Sequence, residues 1–182
     1  MRDFVLRRND VLASKNHAQS RGKNDLCGTE KLFLCGSILV LFYGCATVRI
    51  APSSLAQEAK KFVAPEMGQA GLYVYRDGIF GSILKKDIWV DGECLGESAP
   101  KVFFFMRLPA GKHTIATESE FSPNALSLDM ESGKNYFVRQ YIKVGVFVGG
   151  ANLKLVDEEK GRVAVAKLKM AEPGHCSDPH PK

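Results

Sequence analysis

The chain has 182 residues, with 25 Lys and Arg against 20 Asp and Glu, a formal net charge of +5 and 45% hydrophobic residues, enough for one domain of ordinary size with its own core. Much of the excess charge belongs to the N-terminal 44 residues: setting them aside removes seven of the 25 basic and four of the 20 acidic groups and leaves +2. So small a charge provides no field that would argue for nucleic acid or an anionic surface as partner.

In chain order, the first feature is Lys31, then the uncharged run Leu32 to Tyr43, then Gly44-Cys45-Ala46-Thr47. This is the layout of a bacterial lipoprotein signal: a basic flank, a short apolar stretch for the translocon and small residues at the point of cleavage. Cleavage between Gly44 and Cys45 would leave Cys45 as the lipidated first residue. Bulky Phe42 and Tyr43 depart from the pattern, and about thirty mostly polar residues precede the run where a signal has a handful; initiation near Val11 or Leu12 would still leave Lys15, Arg21, Lys23 and Lys31 ahead of it. The alternative is a permanent inner-membrane anchor over Leu32–Val48. A span needs about 20 apolar residues, and this stretch is shorter and contains Gly36, Ser37, Gly44 and Thr47. Ala46, rather than Asp, after the cysteine resembles cargo sorted to the outer membrane.

Residues 45–69 read as a tether, with Pro52, Pro65 and Gly68 around one helical patch, Leu55 to Val63, able to dock through its apolar side. From Gly71 the period becomes two. Expected strands are Gly71–Arg76, Ile83–Val90, Glu93–Leu95, Val102–Leu108, His113–Glu118, Leu126–Met130, Tyr136–Val148 and Leu153–Val156, separated by turn signals of which Asp91-Gly92 is the strongest. Short strands without crossover helices predict an all-β antiparallel sandwich of about seven strands over 70–170. Asp157 to Met170 mixes strand and helix signals; we read a short C-terminal helix on a sheet edge. Residues 171–182, rich in proline and glycine, read as a disordered tail.

Leu72-Tyr-Val-Tyr-Arg76, Ile88-Trp-Val-Asp-Gly92 with Leu95-Gly96, Leu108-Pro-Ala-Gly-Lys-His113 and Ser132-Gly-Lys-Asn-Tyr136, in that order and spacing, resemble the bacterial lipoprotein family catalogued as domain of unknown function 2846, over about 100 residues from Gly71 to Met170. The centre also resembles the PEGA-type surface module, a small β-sandwich. The resemblance brings no catalytic residues. Trp89, Tyr73 and Tyr75 have a mechanical reading as large residues of a sandwich core or its rim.

Candidate chemistry is sparse. His113, Glu118 and Glu120 could form a metal or acid/base site, but period-two counting puts the glutamates on the face opposite His113. His175, Cys176, Asp178 and His180 are metal-ligand types in a loose tail. With Cys45 lipidated, Cys94 and Cys176 are the only pair left for a periplasmic disulfide, but Cys176 lies in a tail that reads as loose and spacing does not bring the two together, so Cys94 is read instead as a small, partly buried apolar residue. Phe103-Phe104-Phe105-Met106 reads as a strand buried between layers. The charge-poor segment Val144 to Gly150, with Phe147, Val148, Gly149 and Gly150, is the expected contact surface.

These readings lead to a non-enzymatic envelope lipoprotein, without cofactor or bound metal, held by a lipid at Cys45 in the outer membrane facing the periplasm and contacting an envelope protein or glycan rather than nucleic acid. The alternatives are a periplasmic hydrolase or metal-handling protein and an inner-membrane signal-anchored assembly subunit. Nothing in the sequence sets the oligomeric state.

Overall fold

Two sheets face each other across an apolar core in a computed structural model that describes residues 46–120, 122–145 and 149–178. The elements are α1 (Ser53–Ala59), β1 (Gln69–Arg76), β2 (Lys86–Val90), β3 (Glu93–Ser98), β4 (Val102–Pro109), β5 (Gly111–Thr117), β6 (Asn124–Met130), β7 (Asn135–Lys143), β8 (Gly150–Val156), α2 (Glu158–Ala166) and β9 (Lys169–Met170). One sheet has the order β8-β7-β1-β4-β9 and the other β3-β2-β5-β6. The expected all-β sandwich is present. Its first sheet is mixed rather than purely antiparallel, because β1 runs parallel to β7 and β4 parallel to β9. The two-residue β9 was too short for any periodicity to reveal.

Alternation along the strands divides the apolar residues between two layers. Leu72, Val74, Ile88, Val90, Phe104, Ile115, Met130 and Val138 fill the space between the sheets. Tyr73, Tyr75, Phe103 and Phe137 point to the opposite face of the first sheet, where Ala59 of α1 and Val165 and Leu168 in and after α2 cover them. The consecutive aromatics at 103 and 104 are therefore buried on both faces, as the sequence suggests. Tyr73 centres the outer cluster: its ring stacks on Phe105 at 4.5 Å and Phe137 at 4.7 Å, and its hydroxyl donates to the Ala59 carbonyl at 2.8 Å. Burial pushes its pKa up to about 12. The C-terminal helix thus lies over a sheet face, not a sheet edge. Asp157 caps it, accepting from the amides of Glu159 at 3.0 Å and Lys160 at 3.5 Å.

Two expected segments differ in character. Residues 46–69 are not a free tether: Ala51 and Ala59 are buried, Ile50 bridges Ala171, the Ala51 amide donates to the Met170 carbonyl at 2.9 Å, and Lys60 Nζ donates to the Leu168 carbonyl at 2.6 Å. The tail is not disordered over 171–178. Cys176 is disulfide-bonded to Cys94, Cα atoms 6.0 Å apart, and the Glu97 and Gly174 amides donate to the carbonyls of His175 and Leu95. Composition made this strap look loose because its order comes from the sheet beneath it. Residues 179–182, with His180, lie outside the described residues.

Candidate functional site

The parallel pairing of β1 with β7 brings the C-terminal ends of both strands to one end of the sandwich, with Tyr75 opposite Arg139. There Arg139 Nε donates to Asp77 Oδ1 at 2.7 Å, and the loop 77–85 packs beside the residues leading into and out of the β7–β8 connection. Arg76, the last residue of β1, is almost fully buried. Its guanidinium donates to the carbonyls of Gly81 at 2.6 Å, Leu84 at 2.7 Å and Phe80 at 3.3 Å. Burial draws its pKa below the ordinary arginine value, and the carbonyls supply the hydrogen bonds that a buried cation requires. This clamp also ends the strand expected from Ile83: carbonyls that would enter a ladder are turned toward Arg76, and β2 begins only at Lys86.

Close packing joins the loop to its neighbour. Gly81 has φ +66°, and a Cβ there would lie 2.9 Å from Ile142; one on Gly149 would lie 2.7 Å from Leu84 Cδ1. Of the expected contact residues, Gly149 and Gly150 belong to this end, whereas Phe147 and Val148 lie outside the described residues. The exposed apolar side chains here are Ile79 (72%), Phe80 (61%), Ile83 (70%) and Val144 (83%). Ile79 and Phe80 were missed because glycines at 78 and 81 made their segment read as a plain turn, and Ile83 because it was assigned to the strand expected over Ile83–Val90. For Ile79 and Phe80 the signal was available: large apolar residues inside a glycine turn have no core to enter.

The chain reaches the domain at this same end, where the Ala46 amide donates to the Ser82 carbonyl at 2.9 Å. Gly44 and Cys45, the expected cleavage and lipid positions, lie outside the described residues. Behind the loop a buried polar network joins the sheets. Ser98 Oγ donates to Gln140 Oε1, Gln140 Nε2 donates to Thr117 Oγ1 at 2.7 Å, and Thr117 donates to the Asp87 carbonyl at 2.8 Å.

The residues considered for catalysis are engaged otherwise. His113 Nδ1 lies 2.6 Å from Asp91 Oδ2 and Nε2 lies 2.8 Å from the Pro109 carbonyl, so both nitrogens face acceptors. The Asp91 hydrogen bond raises the His113 pKa against the effect of burial. Glu118, about 16 Å further along the strand direction, pairs with Lys86 at 3.5 Å. His113 and Glu118 therefore do not converge. Cys94 and Cys176 are joined to each other, and His175 Nε2 stands 3.9 Å from Glu172. Among the described residues, no group of three His, Cys, Asp or Glu side chains could hold a metal ion. A cleft of about 670 Å³ opens between α2 and the end of β1, lined by Asp77, Lys101, Lys160, Val163, Lys167 and Leu168 among others; Lys101 Nζ there donates to the Asp77 carbonyl.

A family model described as protein of unknown function (DUF2846) matches residues 66–151, from just before β1 into β8. A Haemophilus influenzae protein described as uncharacterized is 52% identical over 145 residues, covering 78% of this chain and 86% of the relative. The chain belongs to the DUF2846 family. The DUF2846 match takes in the loop 77–85 and its Arg76 clamp, while α2, β9 and the disulfide-bonded strap follow it in the chain. The similarity to the Haemophilus influenzae protein extends over more residues than that match.

Proposed function

We propose that this DUF2846 protein is a non-enzymatic lipoprotein of the cell envelope, with lipid on Cys45 and a β-sandwich acting as a binding or structural module for an envelope protein or glycan. The observation that carries the reading is the Cys94–Cys176 disulfide, a bond that persists in oxidising compartments such as the periplasm. It divides the five cysteines consistently: Cys27 and Cys35 fall in the leader, Cys45 takes the lipid, and the remaining two pair. Side chains suited to chemistry have architectural work instead, with His113 joining two turns and Asp87 holding the strap. Ala46 after the lipidated cysteine, which resembles lipoprotein cargo sorted to the outer membrane, supports residence there facing the periplasm.

Intact-mass measurement on the protein isolated from the envelope, beside Cys45→Ser, tests this reading. Acylated Cys45 as the first residue, absent from the variant, is the expected result. A chain that retains Leu32 to Tyr43 would overturn it in favour of an inner-membrane signal anchor.

A further inference from the structure

The short path from Cys45 to the folded domain changes what an anchor would do. A flexible tether of some 25 residues would let the domain stand off from the bilayer, but residues 46–51 are hydrogen-bonded onto it, starting with Ala46 on Ser82. The membrane-seeking part of the sequence, lipid on Cys45 or the uncharged run ending at Tyr43, thus stops one or three residues before Ala46, which is bonded to the loop carrying Ile79, Phe80 and Ile83. Val144 belongs to the same end of the sandwich, two residues beyond Ile142, which packs against Gly81.

Resting on the lipoprotein reading above, we propose that Ile79, Phe80, Ile83 and Val144 form a membrane-docking surface that lies in the interfacial layer of the anchoring bilayer. Exposed large apolar side chains grouped at one end of a domain are a contact surface, and the neighbouring anchor selects lipid as the occupant. The loop is preorganised for this. Arg76 holds three of its carbonyls, and Gly81 and Leu84 are packed against the β7–β8 neighbour, so insertion orders little additional chain. The loop adds a protein contact beside the lipid anchor and orients the sandwich, with this end down and the His113–Asp91 end of β5 away from the bilayer.

The test uses the full chain isolated from membranes with its native N-terminus, carrying Phe80→Trp and reconstituted into phosphatidylethanolamine–phosphatidylglycerol vesicles with or without brominated acyl chains. Trp89, the single native tryptophan and buried, is the internal reference. Bromination is expected to remove most of the emission added at position 80 while sparing that of Trp89, and Ile79→Ser with Ile83→Ser in the same chain is expected to restore it. Intact mass is read on the same sample. Acylated Cys45 with an unquenched position 80 would overturn docking and leave the lipoprotein reading standing; quenching without acylation would support docking and overturn that reading. Blue-shifted emission insensitive to bromination would place protein, such as a second copy, over the loop and overturn the proposal.

Discussion

Asp87 and Ser177, ninety residues apart in sequence, are joined twice: the Ser177 hydroxyl donates to Asp87 Oδ2 at 2.7 Å and its amide donates to Oδ1 at 3.1 Å. The Asp178 amide adds a third bond at 2.8 Å, and Trp89 Nε1 returns one to the Asp178 carbonyl at 3.0 Å. Fully buried Asp87 is thus the acceptor around which the strap folds. Asp87→Ala would leave the strap amides without their acceptor, at a cost of about 3 kcal/mol. Asp87→Asn, which keeps one acceptor oxygen, should lose less. Urea unfolding gives both values, and hydrogen exchange at 177 and 178 should accelerate most in the alanine variant.

The disulfide acts on the same strap from its other side. It closes a sequence separation of 82 residues, and the chain-entropy argument sets its stabilisation at no more than about 4.5 kcal/mol. Because Asp87 retains the strap when the bond is broken, Cys94→Ser with Cys176→Ser should fold but unfold at lower urea. Combined with Asp87→Ala it should cost more than the sum of the two single losses, since each attachment limits the damage from losing the other. A double-mutant cycle measures this coupling; strict additivity would mean that the attachments act independently.

The strap also marks where sequence reasoning stopped. Asp91-Gly92, with φ +53° and +86°, was legible because the turn dictates its residues, and Leu72 to Arg76 was legible because alternation with aromatics suits a pleated surface. Residues 171–178 contain Pro173 and Gly174, and nothing local says that a buried aspartate and a cysteine await them some eighty residues upstream. The parallel pairs were hidden for a similar reason: β1 meets β7 across more than sixty residues of chain, and periodicity gives faces, not partners. At the candidate site, Gly149 and Gly150 were read from low charge, while Arg76 was missed because an arginine ending a strand normally points to water.

The His113–Asp91 clamp predicts a pH window. Asp91, in the β2–β3 turn, accepts from two residues of β5: from His113 and, through Oδ1, from the Thr114 amide at 2.8 Å. The Asp91 bond raises the His113 pKa above 6.5. Its contribution to stability is therefore complete below 6.5 and fades as pH rises through the folded value. Burial alone would raise the Asp91 pKa, but the bonds from His113 and Thr114 outweigh it and hold the group below 3.8; that contribution is present above 3.8 and fades as pH falls through the lower folded value. The clamp thus stabilises most between these limits. Asp91→Asn keeps the turn geometry and the Thr114 acceptor, so its deficit isolates the charge. Asp91 is half exposed, and we expect a loss of about 0.5–1 kcal/mol near pH 6 that shrinks by pH 9. NMR titration should show the His113 pKa falling in the variant.

Gly161 gives a prediction whose sign opposes helix propensity. It lies within α2, where alanine would ordinarily gain about 1 kcal/mol over glycine. Its missing side chain is what lets the helix approach the first sheet: a Cβ there would lie 2.3 Å from Phe137 Cγ and 2.4 Å from Phe137 Cβ. Phe137 cannot swing away readily, because its ring stacks on Tyr73 at 4.7 Å and it belongs to the cluster that includes Phe103 and Val165. Gly161→Ala must therefore push the helix outward and loosen its contact with Phe137 and Tyr73, a cost of about 1–3 kcal/mol that offsets or exceeds the propensity gain. Exposed Val163 has no such contact, and Val163→Ala should be neutral or slightly stabilising. Thermal unfolding of the two variants decides the point: a lowered midpoint for Gly161→Ala beside an unchanged or raised one for Val163→Ala would show that close approach, not helix formation, sets the residue at 161.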